Sequence, residues 1–362
     1  MLDQIISIAP ARVCLFGDHQ DYMQLPIIAC AINRYITIKA IPNDKHTLHI
    51  FKYDLNVEDV IPLNQQIDAV TKDYLRLSLV VLKRYNCIPN HGYDVHISGD
   101  IPINSGLSSS SALTVAWVQF LIEAFGINEP VSPMLIARLA YEIEVVEQNA
   151  SGGKMDQYSI SLGHKIFMNT KTDTIHTFEN ILEGLIVGDS GEGKDTLGTL
   201  SHLKGDAWKA INQVKDTHPD FEIAKMDVSK LNDFLPLVDE GLQPTLEAAV
   251  LNYNITKNAE KAFLEPAIDY RYIGDLINQH HQLLRDNLLI TTPKIDAMIK
   301  AALKAGAYGA KIVGSGKGGC IVALSSKANE ENVINAIKNA GAKDAFLAKE
   351  SEGACINRKI NE

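Results

Sequence analysis

One short stretch limits what this chain can fold into more than any other: a glycine and a leucine followed by four consecutive serines, residues 106–111. A strand-like run, residues 91–98, leads into it, and a long apolar segment, residues 112–125, leads out. Small residues let a backbone turn tightly and approach a ligand closely. The free N–H groups of a helix N-terminus attract anions. The stretch therefore predicts a strand–loop–helix unit whose loop either cradles a phosphate or simply caps a core helix through its serines.

The length and composition of the chain indicate a globular protein with two domains. At 362 residues, the chain is too long for one simple core, and its 46% hydrophobic and 22% charged residues are typical of soluble proteins. The net charge of −10 disfavours a general binder of nucleic acid or of anionic membranes. Five scattered cysteines without a C-x-x-C pair indicate reduced thiols. With no signal peptide or transmembrane run apparent, we expect a cytoplasmic protein without nucleic-acid or membrane partners.

The order of apolar periodicities predicts an α+β fold. Strands are expected at 5–13 and 35–41, with 46–51 as the hairpin partner of the latter. Helical spacing marks 69–84, 112–125, 133–147 and a short helix from Asp156 to Gly163, and several helices follow between about 200 and 305. The end of the chain alternates strands with one helix and has its last strand near Ala345. Because the elements do not alternate as regular βαβ units, α+β is favoured, with domains at 1–180 and 181–362.

A second glycine-rich loop lies near the end of the chain. Residues 314–319 contain four glycines between two apolar strands. Glycine costs conformational entropy on folding, so such a run is expected only where the backbone must turn tightly or approach another group closely. The loop is either a tight turn or a segment that approaches a phosphate or substrate. Its spacing fits neither the Walker A pattern nor G-x-G-x-x-G.

Two clusters of charged residues are candidates for chemistry. The first cluster lies within ten residues and consists of Arg12, Asp18, His19 and Asp21. These side chains either bind a polyhydroxylated ligand through hydrogen bonds or belong to an ordinary surface loop. Glu144 and Asp156 flank a Gly-Gly turn. One carboxylate can hold Mg²⁺ together with phosphate oxygens, and the other can orient an attacking hydroxyl. Alternatively, Glu144 has no functional role and lies on a solvated helix face.

The order and spacing of these pieces resemble the GHMP kinase superfamily (galactokinase, homoserine kinase, mevalonate kinase and phosphomevalonate kinase). Residues 9–22, APARVCLFGDHQDY, resemble the galactokinase signature PGRVNLIGEHTDY, and residues 106–112 resemble the phosphate loop GLSSSA, with Ser111 in place of the first alanine. Residues 153–157 resemble GIMDQ, and residues 311–320 resemble KLTGAGGGGC. Four motifs in the correct order span nearly the whole chain. The resemblance implies a ribosomal protein S5 domain 2-like N-terminal domain and a ferredoxin-like α+β C-terminal domain.

The resemblance also implies roles for individual residues. Asp156 would be the catalytic base or orient the hydroxyl, with Arg12 beside it favouring the ionised form and stabilising the transferring phosphoryl group. Ser110 and Glu144 would hold Mg²⁺. The ATP phosphates would lie against Asn104, Ser105, Gly106, Leu107, Ser108, Ser109, Ser110 and Ser111. The residues implied to contact the substrate are Asp18, His19, Asp21, Gly153, Gly316 and Gly318.

Several positions depart from galactokinase and leave the identity of the sugar open. Asp18 replaces a glutamate, Ala11 replaces a glycine, and residues 23–25 replace asparagine–glycine–glycine. Lys154 replaces an apolar residue and either contacts an acidic group of the substrate or lies on the surface. The polar loop 189–196 has no assigned role.

These observations predict an ATP- and Mg²⁺-dependent kinase that phosphorylates a sugar hydroxyl, with a sugar 1-phosphate as the expected product. We expect a monomer or a homodimer. A mevalonate-type kinase is the alternative within enzymes, although the first loop and the residues around Asp156 argue against it. A catalytically silent sensor of sugar and ATP is the alternative outside enzymes, and the presence of Asp156, Arg12, Ser110 and Glu144 together argues against it. The related decarboxylase branch is disfavoured by the sugar-type first loop.

Overall fold

The computed structural model describes residues 4–65, 72–193 and 196–359. Its strands are β1 (Gln4–Phe16), β2 (Ile27–Asn43), β3 (Thr47–Lys52), β4 (Val57–Pro62), β5 (Gly92–Gly99), β6 (Lys165–Asn169), β7 (Thr174–Thr177), β8 (Leu185–Asp189), β9 (Gly309–Ile312), β10 (Cys320–Leu324), β11 (Asp344–Ala348) and β12 (Cys355–Lys359). Its α-helices are α1 (Tyr74–Lys83), α2 (Ser109–Phe125), α3 (Pro133–Tyr141), α4 (Met155–Leu162), α5 (Thr196–Thr217), α6 (Leu231–Phe234), α7 (Gln243–Leu264), α8 (Tyr270–Gln282), α9 (Pro293–Lys304) and α10 (Glu330–Asn339). The helix predicted at 69–84 is confirmed over Tyr74–Lys83, with Asp73 as its N-cap, and residues 69–71 lie outside the described ranges.

A large sheet carries the first part of the chain. Its strand order is β12-β1-β2-β5-β3-β4, with β6 and β7 branching from β2. Helix α2 packs on β1 and β2 and contacts α3 and α4. Most of its apolar side chains, including Trp117 and Phe120, are buried, as expected for a helix that is hydrophobic on nearly all sides. Because α2 lies directly against β1, the loop before α2 is held next to the end of β1.

The predicted hairpin between 35–41 and 46–51 is wrong. Strand β2 pairs with β5, and β3 lies on the far side of β5, parallel to it. The link between β2 and β3 crosses the start of β5 at Gly92, where a Cβ atom would lie 1.8 Å from the Lys45 carbonyl oxygen and 2.2 Å from Asn43 Oδ1. Glycine permits this crossing because it has no side chain.

A second, smaller sheet carries the later part of the chain. It has the order β11-β8-β10-β9, and all its pairs are antiparallel. Helices α9 and α10 contribute to the core on this sheet through Ile295, Met298, Val333 and Ile337. The strand predicted near Ala345 is β11. The sequence did not reveal β12, which returns to the first sheet and pairs with β1.

The two-domain α+β expectation is confirmed by the two sheets and by the structural relatives reported below. The boundary at residue 180 stays a prediction. Within the described residues, no helix is long and apolar enough to cross a membrane.

Candidate active site

A cleft lies where the loop after β1, the loop before α2, the start of α4 and the loop after β9 meet. Its walls bring together most of the residues that the sequence singled out, from segments as far apart as Arg12 and Ser315. They are Arg12, Asp18, His19, Asp21, Tyr22, Asn104, Ser105, Gly106, Ser108, Ser109, Ser110, Val145, Gly152, Gly153, Met155, Asp156, Gln157, Leu200, Gly314 and Ser315.

Asp156 stands in the first turn of α4 and is held by two donors. Arg12 Nε donates to Asp156 Oδ1 at 2.7 Å, and Ser108 Oγ donates to Asp156 Oδ2 at 2.5 Å. Arg12 is buried, and its Nη1 donates to the Gly106 carbonyl at 2.6 Å. Burial opposes the charge of Arg12, but the ion pair with Asp156 outweighs it and raises the pKa of Arg12 above its usual value. The carboxylate is therefore held in one orientation by two donors, and it lines the cleft.

The serine loop opens α2, as the sequence predicted, but its caps are arranged differently. Ser108 is the N-cap residue, in a left-handed conformation (φ 60°), and its side chain makes no capping hydrogen bond. Its hydroxyl goes to Asp156 instead. Gly106 also has a positive φ of 89°. The N–H groups of the first turn of α2 have no acceptor within the helix, and Ser109 and Ser110 line the cleft beside them.

The remaining residues of the loop tie it to both sheets. The Leu107 carbonyl accepts from the Arg12 N–H at 3.3 Å, and Leu107 itself is buried. Ser105 Oγ donates to the Pro102 carbonyl at 2.7 Å, and the Ser105 carbonyl accepts from Cys320 N at 2.7 Å. The loop is therefore held at a fixed distance from the glycine loop.

Glu144 lies behind the cleft wall on a π-helical turn, Glu142–Val146, that continues α3. Such turns are frequent at functional sites. Thr114 Oγ1 donates to Glu144 Oε1 at 2.9 Å, Gln157 Nε2 donates to Oε2, and the Ser111 hydroxyl is a third neutral partner. Glu144 is buried, and this burial raises its pKa to about 7.

The surroundings of Glu144 fit a divalent cation. In the described ranges, no lysine or arginine forms an ion pair with Glu144, so the buried carboxylate has only neutral partners. Gln157 Oε1, which is also buried, has no hydrogen-bond partner. Thr114 connects Glu144 to the serine loop, because its hydroxyl also bonds the Ser110 carbonyl at 3.1 Å. Oxygen ligands of this kind, one carboxylate with the rest from phosphate and hydroxyl, are those that Mg²⁺ takes.

Asp18 is committed to contacts within the protein. Its Oδ2 accepts from Lys311 Nζ at 2.6 Å, and its Oδ1 accepts from the Gly314 N–H at 2.9 Å. Both charged side chains are almost completely buried. Burial would raise the pKa of Asp18, but the Lys311 ammonium overrides it, and the pKa falls to about 2. The pair joins the loop after β1 to β9 and the glycine loop.

Asp21 and His19 also line the cleft. Asp21 Oδ1 accepts from the Tyr22 N–H at 2.9 Å, and Oδ2 accepts from the Met155 N–H at 3.4 Å. Burial, followed by the Asp156 charge, raises the pKa of Asp21 to about 6. Gly153 lies so close that a Cβ atom there would be 2.2 Å from the Asp21 carboxylate. Glycine at 153 thus leaves room for Asp21.

The glycine loop meets the cleft through Gly314 and Ser315. Gly316 and Gly318, the two residues of this loop that the resemblance implies contact the substrate, are not among the residues that line the cleft. A Cβ atom at Gly316 would meet Ile290 at 2.5 Å, and one at Gly318 would meet the Glu192 carbonyl oxygen at 3.0 Å. Both have positive φ values, 82° and 119°, which explains the need for glycine at these positions.

Lys154 is partly exposed and is not among the residues that line the cleft, although Gly153 and Met155 on either side of it are. Its Nζ lies 2.5 Å from Asp173 Oδ1, and its side chain is 24% exposed. Of the polar loop at 189–196, residues 194 and 195 lie outside the described ranges. Glu192 accepts a hydrogen bond from the Gly319 N–H at 3.0 Å through its carbonyl oxygen, which holds this loop to the glycine loop.

Comparison with known families identifies the chain. Residues 3–42 match the galactokinase galactose-binding signature, residues 73–164 match the GHMP kinases N terminal domain, and residues 259–343 match the GHMP kinases C terminal domain. Together these matches cover more than half of the sequence. The chain belongs to the GHMP kinase family. It is therefore a phosphotransferase that acts on a hydroxyl group, and GHMP kinases use ATP as the phosphate donor.

The curated relatives of this GHMP kinase include two kinds of enzyme at similar identity. A galactokinase from Actinobacillus succinogenes is 28% identical over 93% of this chain and 91% of that protein. A mevalonate kinase from Pyrococcus horikoshii is 27% identical over 98% of both. Overall identity does not separate the two substrates.

Solved structures share the fold of this GHMP kinase. Lactococcus lactis galactokinase complexed with galactose aligns with a TM-score of 0.86 over 97% of this chain and 95% of that chain, at 23% identity. Methanococcus jannaschii mevalonate kinase aligns with a TM-score of 0.72 over 96% and 98%, at 21% identity.

Proposed function

We propose that this protein transfers the γ-phosphate of ATP to a hydroxyl of a neutral sugar, as a galactokinase-like sugar 1-kinase. The observation that carries the proposal is the Asp156 carboxylate, which Arg12 and Ser108 hold toward a cleft shared with the serine loop and with Asp21. The match of residues 3–42 to the galactose-binding signature supports the sugar as acceptor.

In this reading, Asp156 accepts a hydrogen bond from the acceptor hydroxyl and orients its oxygen toward the γ-phosphorus. Arg12 holds the Asp156 carboxylate in place through its ion pair. The N–H groups at the start of α2 bind the phosphates of ATP, where the helix dipole favours negative charge. Transfer is direct and in line, so positioning and charge stabilisation account for most of the rate enhancement.

Mg²⁺ would be held by Glu144 and by the hydroxyl of Ser110, with Thr114 linking the two positions. When bound, the ion neutralises charge on the ATP phosphates. Glu144 would then gain the positive partner that its buried carboxylate lacks among the described residues.

The charges of the cleft favour a neutral acceptor over an anionic one. Three carboxylates line it, those of Asp18, Asp21 and Asp156, whereas Arg12 is the one lysine or arginine among its described lining residues. Arg12 is already committed to Asp156, and Asp18 is neutralised by Lys311. A uronate or mevalonate would place a second negative charge beside Asp21 without a free cation to balance it.

Two other functions are weighed against this one. A mevalonate-type kinase is suggested by the similar identity of the mevalonate kinases, but the cleft lacks a described cation for the mevalonate carboxylate. A silent sensor has no need for a carboxylate oriented by two donors beside a phosphate loop.

The test is ADP release measured with a panel of acceptors: galactose, fucose, arabinose, N-acetylhexosamines, heptoses, glucuronate, galacturonate and mevalonate. We expect turnover with one or more neutral sugars, and we expect Asp156→Ala to abolish it while ATP binding persists. Turnover of mevalonate alone would overturn the assignment to sugars. Near-normal turnover by Asp156→Ala would overturn the role of Asp156, and no ADP release with any acceptor would favour the sensor.

A further inference from the structure

Ser108 stands out because its side chain does not do what a helix N-cap serine ordinarily does. An N-cap serine accepts a hydrogen bond from an N–H of the first turn, but Ser108 makes no such bond. Its hydroxyl donates to Asp156 Oδ2 at 2.5 Å. Helix α2 thus forgoes a stabilising cap in favour of a contact with the carboxylate that faces the acceptor.

The backbone of Ser108 adds a second cost. Its φ of 60° and ψ of 45° place it in the left-handed region, which a residue with a Cβ atom rarely adopts. Such conformations are energetically unfavourable and persist where the surroundings enforce them, often at active sites. Glycine would adopt this conformation without strain. The presence of serine rather than glycine therefore points to a use for the hydroxyl.

The two donors to Asp156 act at different oxygens. Arg12 Nε holds Oδ1, and Ser108 Oγ holds Oδ2. A single donor would leave the carboxylate free to rotate about its Cβ–Cγ bond. Two donors fix its plane, and Oδ2 keeps a lone pair for the acceptor hydroxyl, because each carboxylate oxygen can accept two hydrogen bonds.

We propose that Ser108 is a positioning residue that fixes the plane of the Asp156 carboxylate, so that Oδ2 accepts the hydrogen bond of the sugar hydroxyl in the geometry for transfer. Ser108 forms no bond to the reacting atoms in this role and acts through Asp156. The inference rests on the proposed function, specifically on Asp156 as the residue that orients the acceptor.

The test compares two substitutions that both remove the Ser108 hydroxyl but differ in whether the backbone strain remains. Ser108→Gly relieves the left-handed strain, and Ser108→Ala keeps it. If the hydroxyl positions Asp156, both variants lose kcat by about 10- to 100-fold, the range expected when a reacting group is misplaced by a fraction of an ångström to 1 Å. The dissociation constant of a nonhydrolysable ATP analogue and the KM of the sugar should change by no more than about threefold. Ser108→Cys keeps a weaker donor and should recover part of kcat.

The control is Ser132→Gly, which removes a serine hydroxyl at the N-cap of α3, where Ser132 Oγ accepts from Leu135 N at 3.2 Å. We expect its kcat to be unchanged. A Ser108→Gly variant with wild-type kcat would overturn the proposal, as would a variant whose loss appears only in the affinity for the ATP analogue. Asp156→Ala is measured in parallel. If it is inactive while Ser108→Gly is normal, only this inference fails, and if it is active, the proposed function fails as well.

Discussion

Lys311→Met removes the positive partner of a buried carboxylate and is the most demanding test of how this active site is built. Methionine keeps an unbranched side chain of similar length, so the packing around residue 311 is largely preserved. Asp18 would remain buried with the Gly314 N–H as a donor but with no ammonium beside it. Breaking a buried pair by removing one partner generally costs about 3–5 kcal/mol, because the remaining charge is left uncompensated.

The lowered pKa of Asp18 gives a second value for the stability that the Asp18–Lys311 pair contributes. Lowering that pKa from 3.8 to about 2 corresponds to roughly 2–3 kcal/mol of stability. Because the folded-state pKa lies below the unfolded one, this stability is present above about pH 4 and is lost as the pH falls toward 2. In Lys311→Met, burial raises the pKa of Asp18 instead. The deficit of the variant is therefore largest near neutral pH and shrinks in acid.

The assay is urea unfolding at pH 7 and at pH 4, with the free energy of unfolding as the readout. Lys338→Met is the matched control, since Lys338 pairs with Asp344 at 3.0 Å on an exposed surface. Exposed pairs contribute about 0–1 kcal/mol. The double variant Asp18→Asn, Lys311→Met should recover much of the loss, because it leaves no unpaired charge. A Lys311→Met variant as stable at pH 7 as Lys338→Met would refute the reasoning.

Three further substitutions test other parts of the structure. Gly153→Ala would push the Asp21 carboxylate from its place, so we expect at least a tenfold loss in kcat/KM for the acceptor with ATP binding unchanged, as measured by steady-state kinetics and calorimetry. Without Mg²⁺, Glu144→Gln should raise the free energy of unfolding at pH 8 by up to roughly 3 kcal/mol, because burial raises the pKa of Glu144 to about 7 and penalises the charged form above that pH. The same variant should bind Mg²⁺ more weakly in titration calorimetry, and an unchanged Mg²⁺ affinity would contradict the assignment of Glu144 as a ligand. Gly92→Val would clash with the Lys45 carbonyl, and we expect poor folding measured as loss of soluble protein, in contrast to Gly205→Ala, where a Cβ atom meets nothing within 4 Å.

The sequence motifs identified most of the cleft residues because each motif lies within one short segment of the chain. A glycine and a run of serines before an apolar helix specify a loop and a helix N-terminus within one segment. Helix α2 does follow this loop, although it begins at Ser109, earlier than the predicted range of 112–125. The start of α3 is another local feature, since Ser132 caps the helix and precedes a proline at its first position. In such cases the deciding interactions lie within a few residues of one another.

Contacts between segments that are far apart in the sequence could not be predicted from local patterns. Lys311 and Asp18 are 293 residues apart, and nothing local marks either as the partner of the other. The hairpin prediction failed for a related reason. Two strands joined by a short link ordinarily pair, and only the absence of a side chain at Gly92, far along the sequence, allows β5 to lie between them.

Asp18 makes different contacts in the structure from those that its place in the motif predicts. By position in the motif, it is expected to contact the sugar, yet both its oxygens are bound by Lys311 and Gly314. Aspartate is one methylene shorter than the glutamate of galactokinase, and this carboxylate lies against the glycine loop. Asp21 is then left as the carboxylate of the first loop that faces the cleft without an ion-pair partner among the described residues. We therefore expect acceptor selection to depend chiefly on Asp21, and Gly153→Ala tests this expectation because one added methyl group would displace the Asp21 carboxylate.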